Sequence, residues 1–123
     1  MQNGEKIFWE LLNNEIRSVT KDDSGDLVIV TRFRSIQNEL RFLNAEWSDK
    51  VDELKGENIN FVEEVVPGSI SAELTEYIKS RYSKSFVPES LKSAGKSLYK
   101  VVSAKSSHEG LVIADDMNIL ING

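Results

Sequence analysis

The sequence predicts an α+β fold. It consists of a mainly antiparallel sheet of six to seven strands, one main helix over about 69–82, and short helices near 5–14 and 48–55. Three observations carry that expectation. Two stretches of strict β-branched alternation flank glycine-containing polar loops, at 16–33 and 97–114. One long stretch, 69–82, has helical rather than alternating apolar spacing. The 123 residues match the size of a single domain, expected over 1–123, with a core that needs no metal or disulfide staple.

The elements follow in order. Ile7, Phe8, Leu11 and Leu12 recur at helical spacing, and Asn13-Asn14 offers a stop, which predicts the first short helix. Residues 16–20 and 26–33 form a hairpin around Asp22-Asp23-Ser24-Gly25. Leu27 to Val30 is apolar on both faces, so the second strand of this hairpin should be central or covered by a helix. Residues 39–47 supply a third strand, with a phase shift at Leu43-Asn44 that signals a bulge or bend. Ser48 stands as an N-cap, Val51 and Leu54 are helically spaced, and Gly56 suits the residue just past a helix end. Residues 58–66 form a fourth strand, ended by Pro67-Gly68.

In the main helix Ile70, Leu74, Tyr77, Ile78 and Tyr82 lie on one side. The basic stretch 83–96 is long for a connection, so it is either a functional loop or hides a short helix near 88–93. Strands over 97–104, 110–114 and 117–121 complete the chain. The two hairpins resemble each other locally. Convergent patterning explains this more simply than duplication, because no fixed period repeats. The expected core is Phe8, Leu11, Leu27, Ile29, Phe33, Phe61, Leu74, Ile78, Val101, Leu111 and Ile113.

Composition narrows function mainly by exclusion. There is no cysteine, so a disulfide scaffold, a thiolate metal site and a cysteine nucleophile are excluded. The first residues lack a basic segment followed by an apolar one, and the aliphatic runs are far shorter than the roughly 20 residues of a spanning helix, so a cytoplasmic location is expected. No glycine-rich phosphate loop is present. His108 is the single histidine and falls in a hairpin loop beside Ser106 and Ser107. An exposed turn residue without an orienting carboxylate is expected there, and His108→Ala should leave any activity intact. Asp22, Ser24 and Asp26 are spaced like the opening of a calcium loop, but Leu27 and Phe33 occupy the required Gly and Glu positions. Asp115-Asp116 is expected to be a turn rather than a cation site. No cofactor and no metal are expected. Glu63 shares a face with Phe61 and Val65, so it is either a buried carboxylate with a raised pKa or the partner of an arginine such as Arg32 or Arg41.

Net charge is −5, unevenly spread. Residues 1–66 carry 14 acidic and 8 basic side chains, whereas 79–105 hold seven Lys/Arg against Glu89 alone. The basic segment includes Tyr82, Phe86 and Tyr99, which together could stack nucleic-acid bases, but an acidic domain argues against nucleic acid. Instead the acidic half is expected to dock a partner with a basic surface. Its candidate residues are Asp22, Asp23 and Asp26 on the hairpin tip, and Glu46, Asp49, Asp52 and Glu53 on the segment after the third strand.

The leading helix with its hairpin over 16–33 resembles many small bacterial β-rich proteins, some of which are immunity or inhibitor proteins for toxins. That resemblance carries no diagnostic motif and transfers no site residue. The lack of catalytic residues, the small size and the acidic N-terminal half make the leading expectation a non-enzymatic protein-binding domain, such as an immunity-type inhibitor that neutralises a basic partner like a toxin nuclease. A structural or adaptor subunit of an oligomeric assembly is the alternative, and a carboxylate-based enzyme the third possibility.

Overall fold

The computed structural model describes residues 6–82, 85–105 and 108–122. It is built mostly of antiparallel sheet. Among the described residues nine strands, more than the six to seven expected, form two sheets rather than one. They are β1 (Lys6–Phe8), β2 (Glu15–Lys21), β3 (Leu27–Phe33), β4 (Ile36–Leu43), β5 (Trp47–Asp49), β6 (Ile59–Val65), β7 (Ser97–Ser103), β8 (Glu109–Ala114) and β9 (Asp116–Leu120). A five-stranded sheet has the order β1-β6-β7-β8-β5, and a four-stranded sheet the order β2-β3-β4-β9. The main helix, α1, spans Ala72–Arg81, and a one-turn-plus helix, α2, spans Pro88–Ser93.

Two apolar clusters explain the layering. Leu27, Ile29, Leu40 and Phe42 of the four-stranded sheet meet Val62, Tyr99, Val101 and Val112 of the five-stranded sheet. Alternation sends the intervening residues Leu98, Leu111 and Ile113 to the other face, where they pack under Ile78 of α1, Leu91 of α2 and Phe86. The order is therefore sheet, sheet, helices. It also explains the two-sided apolar strands: β7 and β8 are covered on both faces.

The expected helix near 5–14 is instead β1 followed by a turn, with Leu12 N donating to the Trp9 carbonyl and Asn13 at φ 67°. Glu5 lies outside the described residues. The Ile7–Phe8–Trp9 side chains alternate across β1: Phe8 packs on the inter-sheet core, while Trp9 leans on Phe61 at 5.2 Å between ring centroids. Helical spacing and a short strand-plus-turn are indistinguishable over so few residues. The helix expected near 48–55 resolves into β5, with Ser48 inside it, and a 3-10 turn Asp52–Leu54. The phase shift at Leu43-Asn44 is a bend: Asn44 adopts φ 49° where the chain leaves one sheet for the other. The basic connection does contain the short helix near 88–93.

Of the expected core, Leu11, Leu27, Ile29, Ile78, Val101, Leu111 and Ile113 are buried. Phe8, Phe61 and Leu74 are half-buried, and Phe33 is 37% exposed. Phe33 fails because the sandwich ends one pair earlier. A buried polar trio closes it there, with Asn14 Oδ1 accepting from Thr31 Oγ1 at 3.0 Å and Asn38 Nδ2 at 2.8 Å.

Candidate functional site

The segment between β5 and β6 shapes one wall of a cleft. Lys50 takes a left-handed φ of 63°, and the 3-10 turn then folds back over β8. Gly110 permits this approach: a Cβ at that position would lie 2.7 Å from Val51 Cγ2 and 2.9 Å from its Cα. Leu54 anchors the turn in the core at 1% exposure. On the opposite side stands α1, whose first turn is capped by Ser71 Oγ, accepting from Leu74 N at 3.1 Å.

Between them lies a cleft of about 440 Å3 with Leu54, Leu74 and Leu111 on its floor and Asp49, Glu53 and Glu109 on its walls. It continues past Glu109 into a second depression of about 450 Å3, where Glu63 and Glu73 join the lining and Lys100 stands opposite Glu63 in the β6–β7 register. The two depressions share Leu74 and Glu109 in their linings and are taken together as a groove beside the N-terminal half of α1. Five carboxylates line it, from Asp49, Glu53, Glu63, Glu73 and Glu109, against Lys50, Lys100 and His108.

Tyrosines of the helical layer hold two of the expected acidic residues. Tyr77 Oη donates to Asp49 Oδ2, and Tyr82 Oη donates to Glu46 Oε2 at 2.5 Å. The Tyr77 ring also carries Lys50 Nζ at 5.5 Å and the Arg81 guanidinium at 5.1 Å. Asp52 and Glu53 remain exposed on the turn.

The hairpin-tip carboxylates are engaged internally. Asp22 Oδ1 accepts from Ser24 N, Ser24 Oγ and Asp26 N at 3.0, 2.7 and 3.0 Å. Arg41 Nη1 reaches Asp22 Oδ2 at 2.6 Å and Asp26 Oδ2 at 2.9 Å, while its Nε bonds Glu39 at 2.9 Å. The Ser24 hydroxyl and then Arg41 hold the Asp22 carboxyl down at about 2. Asp23 is exposed beside them. These bonds make the spacing that looked like a calcium loop a hairpin turn. Asp115 is likewise committed, to Lys96 Nζ at 2.7 Å and Asn44 Nδ2 at 3.1 Å, and those partners lower its pKa.

The structure thus separates the seven candidate residues. Ala45 N donates to the Gly25 carbonyl, so the tip sits at the start of the segment leading to the groove. At the tip Asp26 Oδ1 accepts from Asn44 N at 2.9 Å, and Glu46 follows in the chain between this group and Asp49, Asp52 and Glu53.

Sequence reasoning missed Glu73, Glu109 and Tyr77 as lining residues. Nothing local signals them, because the groove exists only where α1 lies across β8. The alternative partners proposed for Glu63, Arg32 and Arg41, belong to the other sheet.

His108 has an orienting carboxylate after all. Its Nδ1 lies 3.3 Å from Glu57 Oε2, and Ser103 Oγ donates to Glu57 Oε1 at 2.5 Å. The order is still wrong for nucleophilic catalysis, in which imidazole must sit between hydroxyl and carboxylate. Ser106 and Ser107 lie outside the described residues. Among the described residues no three His, Asp or Glu side chains converge to hold a metal ion. Two of the three aromatics of the basic segment are withdrawn from its surface: Phe86 and Tyr99 are each 2% exposed, in different core clusters, and burial pushes the Tyr99 phenol up to about 12, while Tyr82 is half-buried. No described helix is long and apolar enough to cross a membrane.

Fold and groove together define a two-sheet antiparallel protein with a helical layer that walls an acidic furrow. Comparisons with protein-family models, with curated proteins and with solved structures find no match to this chain.

Proposed function

We propose that the chain is a non-enzymatic protein-binding domain that neutralises a partner with a basic surface, as an immunity-type inhibitor of a toxin nuclease would. One observation carries this reading: the groove beside α1 combines an apolar floor with five lining carboxylates. A lysine or arginine stem suits such a floor, and its head group suits the walls. Complementary charge accelerates encounter and fixes orientation more than it adds raw affinity. The Trp9–Phe61 pair, near the β6 end of the groove, offers the kind of aromatic anchor that dominates interface energetics.

The test is affinity capture from the native host at low and high salt, followed by binding kinetics with the captured protein. Asp52, Glu53 and Glu109 should be reversed to lysine together; Asp49 is left intact because Tyr77 depends on it. Rising salt should slow association of the wild type. The triple reversal should lower the association rate by about tenfold or more while changing dissociation less. Identical rate constants for wild type and triple reversal would remove the groove from the interface.

A further inference from the structure

The two sheets present four edge strands, and their protection differs. β2 carries Glu15, Arg17 and Lys21 and is broken by a bulge between Ile16 and Ser18. β1 is three residues long and begins with Lys6. β5 is also three residues long, and the flanking Glu46 and its own Asp49 are tied to tyrosines of the helical layer. Short length, charge, bulges and covering elements are the devices that keep sheet edges from pairing with other chains.

β9 has one of them, the charge of Asp116, whose Oδ1 accepts from Met117 N at 2.8 Å; it is otherwise bare. Its sequence Asp116-Met117-Asn118-Ile119-Leu120 contains no lysine, arginine or proline, and its pairing with β4 runs without a register shift. Among the described residues no strand pairs with its other side. Leu120 and Ile121 are each 52% exposed there. Ile36, 38% exposed, lies close by, since Asn122 Nδ2 donates to the carbonyl of its neighbour Gln37.

We infer that the chain forms a two-fold dimer by antiparallel pairing of β9 with β9 of a second copy, joining two four-stranded sheets into one of eight. The strand is complementary to itself. A dyad at Asn118 sets each Met117 opposite the other copy's Ile119, extending the apolar inner face. It sets Asp116 opposite Leu120, so no like charges meet. The strand alone is only about 17 Å long, and a stable interface buries roughly 800 Å2 per partner, so Ile121 and Ile36 must contribute and the dimer is a weak one. Each copy carries −5, so salt strengthens this association by screening repulsion. Docking through the acidic groove, on the other sheet, responds to salt in the opposite sense. The two ideas can therefore fail separately.

Sedimentation equilibrium on the whole chain tests the dimer. The average mass should rise from monomer toward dimer between about 10 and 500 μM, and rise further with salt. Asn118→Asp with Leu120→Asp, both on the exposed face of β9, sets like charges opposite each other. It should lower the association constant at least tenfold with unchanged circular dichroism. As an independent measurement, Asn118→Cys introduces the chain's only thiol close to its own two-fold mate. Mild oxidation should give a disulfide-linked dimer, whereas Asp23→Cys, on the hairpin tip and outside β9, should not. A wild type that stays monomeric across the range at high salt, or a dimer indifferent to the double substitution, would overturn the inference. Equal cross-linking of the two cysteine variants would also overturn it.

Discussion

At the scale of single residues, the interior depends on a few side chains whose neighbours cannot adjust. Ile29 is fully buried between the sheets, so Ile29→Ala should destabilise by about 2–4 kcal/mol, the usual cost of such a cavity. A loss of less than about half a kcal/mol in urea unfolding would show the residue on a yielding face. Asn14 is the sharper case. One oxygen serves two buried donors, from Thr31 and Asn38. Asn14→Ala should cost about 2–4 kcal/mol, because each orphaned donor keeps its desolvation penalty. Combining Asn14→Ala with Thr31→Val removes one of the two orphans. The double variant should then lose less than the sum of the single losses, as equilibrium unfolding can measure.

At the scale of elements, the contact between the 3-10 turn and β8 decides whether the groove exists. Gly110→Ala would drive a methyl into the Val51 backbone, where nothing flexible can give way. It should destabilise by about 1–3 kcal/mol. It should also widen the cleft, which tryptophan fluorescence can register if Trp47, packed at 5.8 Å on Tyr82, shifts with its strand. Helix α1 is less demanding. Its Ser71 cap and the Glu76–Lys79 pair at 3.6 Å are modest supports, and Ile78 is its one fully buried anchor.

At the scale of the whole molecule, charge sets the response to pH. The Asp22 carboxyl is held at about 2, below its ordinary 3.8. A depressed acid adds stability that is complete above its unfolded pKa and lost as pH falls through the folded value. Between about pH 4 and pH 2 the protein should therefore lose stability, and the hairpin tip should contribute to that loss. Asp22→Asn should flatten the decline in denaturant midpoint over that window. Because the tip is exposed, added salt should weaken the difference. If the declines of wild type and variant superimpose, the Asp22–Arg41 contact does not distinguish the folded state.

The sequence by itself determined the hairpin at 16–33, the strands after Gly95, the main helix and seven of the buried aliphatic positions, including Ile29 and Ile113. Each rests on local periodicity, which β-branched alternation or a helical stripe writes directly into the chain. It also indicated the bend at Leu43-Asn44, as a break in phase. Only the tertiary structure decided that the strands divide between two sheets. That division depends on which strands meet, and a two-sided apolar strand looks the same under a second sheet as under a helix. Tertiary contacts likewise turned the 5–14 and 48–55 segments away from helix, because strand pairing outweighs the weak propensity of a few residues. The same reason separates the acidic candidates. Asp22 and Asp26 carry the same charge as Asp52 and Glu53 in the sequence. In space Arg41 claims the first two, while Gly110 and Val51 carry the others to the rim of the groove beside α1.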